Sequence, residues 1–143
     1  MVERLLKDHI GLLDAPGPRG QRAIYTALKY GHMKVFDYLP NKGADITINT
    51  CPGDTSLHYA ARKGHLRVVD LILTKEPSLL NLRLFGYTPI CTAMEHNQLE
   101  IFDYLFTKEA DLTLRNQLGD TCLHFAAQAG YLQGPGFRIS QDQ

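Results

Sequence analysis

The sequence predicts an all-α solenoid: about four helix–turn–helix units joined by long loops, incomplete at both ends. Three observations carry that prediction. The chain repeats itself every 33 residues, capping and turn residues recur at fixed places in the period, and small or apolar residues fall between them at helical spacing.

The period is visible position by position. Thr55, Thr88 and Thr121 are 33 apart, as are Leu57, Ile90 and Leu123. The same step links Ala27, Ala60, Ala93 and Ala126, and then Gly31, Gly64, Asn97 and Gly130. It also links Val35, Val68 and Ile101, and Leu39, Ile72 and Leu105. The phrase "FDYL" occurs at 36–39 and again at 102–105, two periods on. Register holds without insertion from about Gly20 to Tyr131.

Each unit reads in the same order. A threonine stands before a run of helix formers, where its hydroxyl can accept a bond from a free first-turn N–H. Pro89 takes the first helical position, where a missing N–H costs nothing. Leu57, Ala60 and Ala61 share one side of the first helix, and the alanines let neighbouring backbones approach. Gly64 ends that helix in the left-handed conformation that glycine adopts without cost, and Asn97 replaces it in the next unit. A second helix, "LRVVDLILTK", presents Leu66, Val69, Leu71, Ile72 and Leu73 as a broad apolar face. A polar or irregular loop then leads to the next unit. One such unit cannot bury its apolar face alone, so the units must stack.

The phrases "TSLHYAARKGH", "TPICTAMEHNQ" and "TCLHFAAQAGY" are similar to the T-P-L-H-x-A-A-x-x-G-H phrase of ankyrin repeats, whose period is 33. "GADI" at 43–46 and "EADL" at 109–112 resemble the loop motif of the same family. The resemblance implies L-shaped repeats whose loops project as β-hairpin fingers. It divides the chain into a partial repeat at 1–16, repeats at 17–49, 50–82 and 83–115, a truncated fourth at 116–133, and a non-repeat tail at 134–143.

Departures from the pattern are specific. Arg22-Ala23-Ile24-Tyr25 stands where Thr-Pro-Leu-His is expected. Pro40 is expected to end its helix early by removing a hydrogen bond in the last turn. Glu109 and the Glu76-Pro77-Ser78 segment occupy places where the family carries Gly-Ala-Asp. A non-glycine there must take a left-handed conformation at about 1–2 kcal/mol, or end the helix differently. "VERLL" at 2–6 aligns with "VFDYL" at 35–39, and Gly134-Pro135-Gly136 stands where a second helix should follow Gly130. The expectation is a fragment or shortened variant of a longer array. The competing reading has both ends folding back as improvised caps, with Phe137 and Ile139 docked on the open face.

Composition narrows the function. The chain of 143 residues balances 15 Lys+Arg against 15 Asp+Glu, which gives no electrostatic footprint for nucleic acid or an anionic membrane. No stretch approaches the roughly 20 apolar residues needed to cross a bilayer, and the N-terminus lacks a signal-peptide pattern. Cys51, Cys91 and Cys122 are odd in number with no close pair, which argues against a disulfide framework and for reduced thiols in the cytoplasm or nucleus.

The residues offer no catalytic motif. There is no P-loop, G-x-G-x-x-G, H-E-x-x-H or Cys-x-x-Cys. His58, Cys91 and His124 share one repeat position, but helices packed about 8–10 Å apart cannot share a metal that needs ligands at about 2.0–2.3 Å. These histidines, with His32 and His65, read as structural. No catalytic residue, cofactor or metal ligand is assigned.

What remains is a surface for a protein partner. "LRLFGYTP" places Leu82, Leu84, Phe85 and Tyr87 at or near a finger tip, where the neighbouring fingers are polar or small. Exposed aromatic clusters mark interaction sites. Phe85 and Tyr87 read as contact residues, and the two leucines as either contact or packing. Leu118 and Asp120 belong to the next finger. Lys29 and Tyr30, then Arg62 and Lys63, then Glu95 and His96 sit just before successive turns, running from basic to acidic. Arg62 and Lys63 suit an acidic segment of a partner, or simply a helix C-terminus.

The sequence thus points to a module that binds a partner protein through its concave groove and finger loops, without chemistry of its own, monomeric or associating end to end through uncapped repeats. A regulatory inhibitor of a partner enzyme such as a kinase, and a structural spacer of a larger scaffold, are the alternatives.

Overall fold

The structure is a computed structural model, and it describes residues 1–17, 20–47 and 54–130. Cys51 and the tail with Phe137 and Ile139 lie outside the described residues. Among the described residues the chain is all-α, with eight α-helices and no strand longer than an isolated bridge. It divides into two compact units, Met1–Ser56 and Leu57–Gln143.

In the first unit, α1 (Val2–Asp8) is followed by a 3-10 turn (Ile10–Leu12) and by the hairpin α2 (Ala23–Lys29) and α3 (Met33–Asn41). Gly31 makes the turn at φ 75°. Ile24, Leu28, Phe36 and Leu39 fill the core, with Leu6 and Leu13 beside them. Arg22 caps α2 without a side-chain bond, as its departure from threonine implies. Its guanidinium donates instead to the Asp14 carbonyl. The Tyr25 hydroxyl donates to Asp54 Oδ2 at 2.9 Å, tying the first helix to the loop that ends the unit.

Pro40 does not end α3 early. The helix runs through it to Asn41 and matches its counterpart two periods on, α7 (Leu99–Thr107), residue for residue. The proline sits one position from the end, where its fixed φ suits the helix and a single ladder bond is lost.

The second unit carries α4 (Ser56–Lys63), which begins one residue before the boundary, then α5 (Leu66–Lys75), a 3-10 turn (Pro77–Asn81), α6 (Pro89–Glu95), α7 and α8 (Cys122–Ala129). Here α6 packs on both α7 and α8, and α5 packs on α7. Ala60, Ala61, Ala93 and Ala126 are all buried, which is what close approach of first helices requires. Thr88 accepts a bond from the Cys91 N–H at 3.4 Å, and Thr121 forms a capping box with His124.

The turn residues behave as the period predicts. Gly64, Asn97 and Gly130 have φ of 83°, 58° and 76°. The two glutamates at the loop motif diverge. Glu109 takes the left-handed conformation at φ 65°, whereas Glu76 keeps φ −137° and hands the chain to the 3-10 turn that Pro77 starts.

The cysteine expectation is corrected. Cys91 and Cys122 are joined, with Cα atoms 4.9 Å apart. The two do not share a repeat position: they are 31 residues apart, and the third position of one first helix meets the first position of the next.

Candidate protein-binding surface

The finger before α6 is built by the chain immediately after the 3-10 turn, whose end is closed by the Leu82 N–H bonding to the Leu79 carbonyl at 3.0 Å. Leu84 and Tyr87 then exchange both backbone bonds at 2.9 Å, making a two-residue hairpin. In its type I′ form such a turn needs positive φ at both central residues, and it normally recruits asparagine, aspartate or glycine. Here those residues are Phe85 at φ 51° and Gly86 at φ 85°. Gly86 has a local reason: a Cβ there would lie 2.9 Å from the Asn116 Cα of the next loop. Phe85 has no such reason. Its backbone costs about 1–2 kcal/mol that asparagine would largely avoid, and its side chain is 58% exposed.

The other residues of that finger are held differently. Tyr87 is half-buried, its ring stacked on Phe125 of α8 with centroids 5.6 Å apart. Its carbonyl meets the His58 Nε2 at 2.9 Å. Leu82 and Leu84 are also half-buried.

The adjoining loop, 115–121, is folded around one amide. Asn116 Oδ1 accepts from the N–H groups of Leu118 and Asp120, and the Asn116 N–H donates to the Asp120 carbonyl. Leu118 is left 82% exposed. Two arginines brace the pair of loops: Arg83 donates to the Arg115 carbonyl, and Arg115 Nη1 donates to the Gly119 carbonyl at 2.7 Å. The adjoining loops therefore present two apolar side chains and two guanidinium groups.

The turn ends of the first helices are more tightly engaged than their charges imply. The Arg62 guanidinium lies over the Tyr59 ring at 5.3 Å, and its carbonyl accepts from Gln98 Nε2 at 3.0 Å. Lys63, Glu95 and His96 are exposed, and His96 Nδ1 stands 3.0 Å from the Thr92 carbonyl and 3.9 Å from Glu95. In the first unit, Lys29 Nζ lies 5.9 Å from the centroid of Tyr30, which is 66% exposed.

Gln98 and Asn116 went unnoticed in the sequence. Gln98 stands where His32 and His65 stand in earlier repeats, and its amide fills the space beside Gly64. Leu123 is the other surprise. Leu57 and Ile90 at its repeat position are buried, yet Leu123 is 72% exposed, beside a depression of about 440 Å³ that Leu112, Arg115 and Cys122 help to line.

Among the described residues no helix is long and apolar enough to cross a membrane. No curated protein sequence matches the chain. A family model described as ankyrin repeats (3 copies) matches residues 1–81 and 74–134. Ankyrin repeats bind other proteins and are typically non-catalytic. With the match spanning nearly the whole chain, and a 33-residue period of helical hairpins beneath it, the protein is a member of the ankyrin-repeat family.

Proposed function

We propose that the chain is a protein–protein interaction module that grips its partner through the finger loops and the exposed first-helix ends of its repeats. Specificity is set by side chains outside the repeat framework. One observation carries this reading: Phe85 is a large, exposed aromatic held in a backbone conformation that disfavours it. Packing does not require that side chain, and stability alone would have selected asparagine or glycine. A residue that costs stability and faces solvent is explained by contact with something else. Leu118, Arg83 and Arg115 extend the contact to the next loop. Tyr87 serves by fixing the hairpin on Phe125.

The test exploits the strain. Phe85→Asn relieves the left-handed conformation, so the variant should be more stable by about 1 kcal/mol in urea unfolding. The same variant should lose the partner that the unmodified chain captures from a cell lysate. Lost capture by a protein that has become more stable cannot be attributed to unfolding. A partner held equally by both would remove the finger tip from the contact surface.

A further inference from the structure

We propose that Cys91 and Cys122 are a reversible thiol–disulfide pair that staples α8 to α6, so that oxidation fixes the last described helix and reduction frees it. The geometry is specific to this one junction. The paired Cα atoms are 4.9 Å apart, inside the span a disulfide bridges without backbone movement. At the equivalent positions of the earlier junctions stand Tyr25 with Ser56, and His58 with Pro89, neither of which can cross-link.

α8 is the helix for which such a bond matters most. It has only eight residues, a length at which helices depend on packing. Its buried anchors are Cys122, Phe125 and Ala126, and its other side, with Leu123 and His124, faces solvent. One of its three anchors is therefore the sulfur itself. Both cysteines are buried, so an oxidant reaches the thiols when α8 lifts from α6, and a reductant reaches the bond through local opening of the chain around Cys122, the first residue of α8. A short helix with one open face lifts at low cost, which makes the pair accessible as well as stabilising.

The chemistry balances with a low-molecular-weight disulfide such as oxidised glutathione as electron acceptor. The thiolate of one cysteine attacks a sulfur of oxidised glutathione, and one glutathione thiolate leaves. The second cysteine, as its thiolate, attacks the mixed disulfide on the protein side and expels the other glutathione. Two thiols lose two protons and two electrons, one intramolecular S–S bond forms, and one glutathione disulfide becomes two thiols. Reduction runs the same steps backwards.

The test uses the full chain with Cys51→Ser, so that only this pair can react. The protein is equilibrated across a series of reduced-to-oxidised glutathione ratios. Free thiols are then trapped with an alkylating reagent and counted by mass spectrometry. Both thiols should disappear together in one transition, with the peptides bearing Cys91 and Cys122 recovered as a linked pair. Hydrogen exchange at residues 122–130 should be slower by on the order of 100-fold in the oxidised chain. Adding Cys91→Ala should leave that exchange at the reduced rate in every buffer. If that variant loses helicity, the reduced form of the Cys51→Ser chain supplies the same comparison. Thiols that stay alkylable throughout would overturn the proposal. So would glutathione adducts accumulating without a Cys91–Cys122 link, or a link that leaves exchange in α8 unchanged.

Discussion

His58 and His124 occupy the same place in the repeat, 66 residues apart, and do different things. His58 is buried and bonds forward to the Tyr87 carbonyl of the next finger. His124 is exposed and turns back, accepting from the Thr121 N–H at 3.0 Å. Their neighbours divide the same way, with Leu57 and Ile90 buried and Leu123 exposed. In a repeat array a side chain's role is set by whether another unit lies over it, and repeat position alone leaves that open. The forward link also changes chemistry from repeat to repeat: Tyr25 hydroxyl to carboxylate, His58 to carbonyl, Cys91 to sulfur.

The sharpest way to break this comparison is to truncate the same position twice. Ile90→Ala empties a sealed site and should cost about 2–5 kcal/mol. Leu123→Ala removes a solvated side chain and should stay within about 0.5 kcal/mol. Urea unfolding of the two variants side by side measures both. Equal costs would mean that the face of α8 is covered in solution.

Smaller effects should follow from the histidines. His58→Ala removes one of the two partners of the Tyr87 carbonyl, which keeps the Leu84 N–H, and should cost about 0.5–1.5 kcal/mol and loosen the hairpin. His124→Ala removes only part of a capping box, at about 0.5–1 kcal/mol. Amide exchange at Leu84 and Tyr87 should respond to the first substitution and not to the second.

The smallest effect lies on the second helices, where the Tyr104 hydroxyl of α7 donates to Asp70 Oδ1 of α5 at 2.6 Å. Burial, aided by the bond to Asp70 and its negative charge, pushes this phenol from its ordinary 10.0 up to about 12. Between those values the unfolded chain releases the proton and the folded chain keeps it, so stability must fall as pH rises through that window. Tyr104→Phe should flatten that part of a stability-versus-pH curve. Asp111 works at the other extreme: hydrogen bonds from the Thr113 hydroxyl and N–H hold its carboxyl below its ordinary value. Its contribution is present above the unfolded pKa and is lost as pH falls through the folded one.

The framework was legible because it is local and periodic. The left-handed turns at Gly64 and Asn97 and the buried alanines follow from capping and steric rules applied once per period. Contacts between neighbouring repeats of the second unit were less legible, because they do not keep the 33-residue step. Cys91 meets Cys122 at 31, and Gln98 reaches the Arg62 carbonyl 36 residues back. Pro40 departs from expectation because the loss of one last-turn hydrogen bond is too small to stop a helix one residue from its end. At the candidate site, exposure of Phe85 and Leu118 followed from their placement on loops. The strain at Phe85 required the backbone, and the engagement of Tyr87 by Phe125 and His58 required the fold.

The Gln98 amide carries one more consequence. A Cβ on residue 64 would sit 2.6 Å from Gln98 Oε1, so repeat three is fitted to a predecessor whose turn ends in glycine. Its own turn ends in Asn97. A tandem duplication of repeat three would therefore place asparagine against glutamine, and the Gln98 amide, the far end of a flexible side chain, would have to swing aside at the new seam. The repeats share a period, yet copying this one next to itself changes a contact that the period does not record.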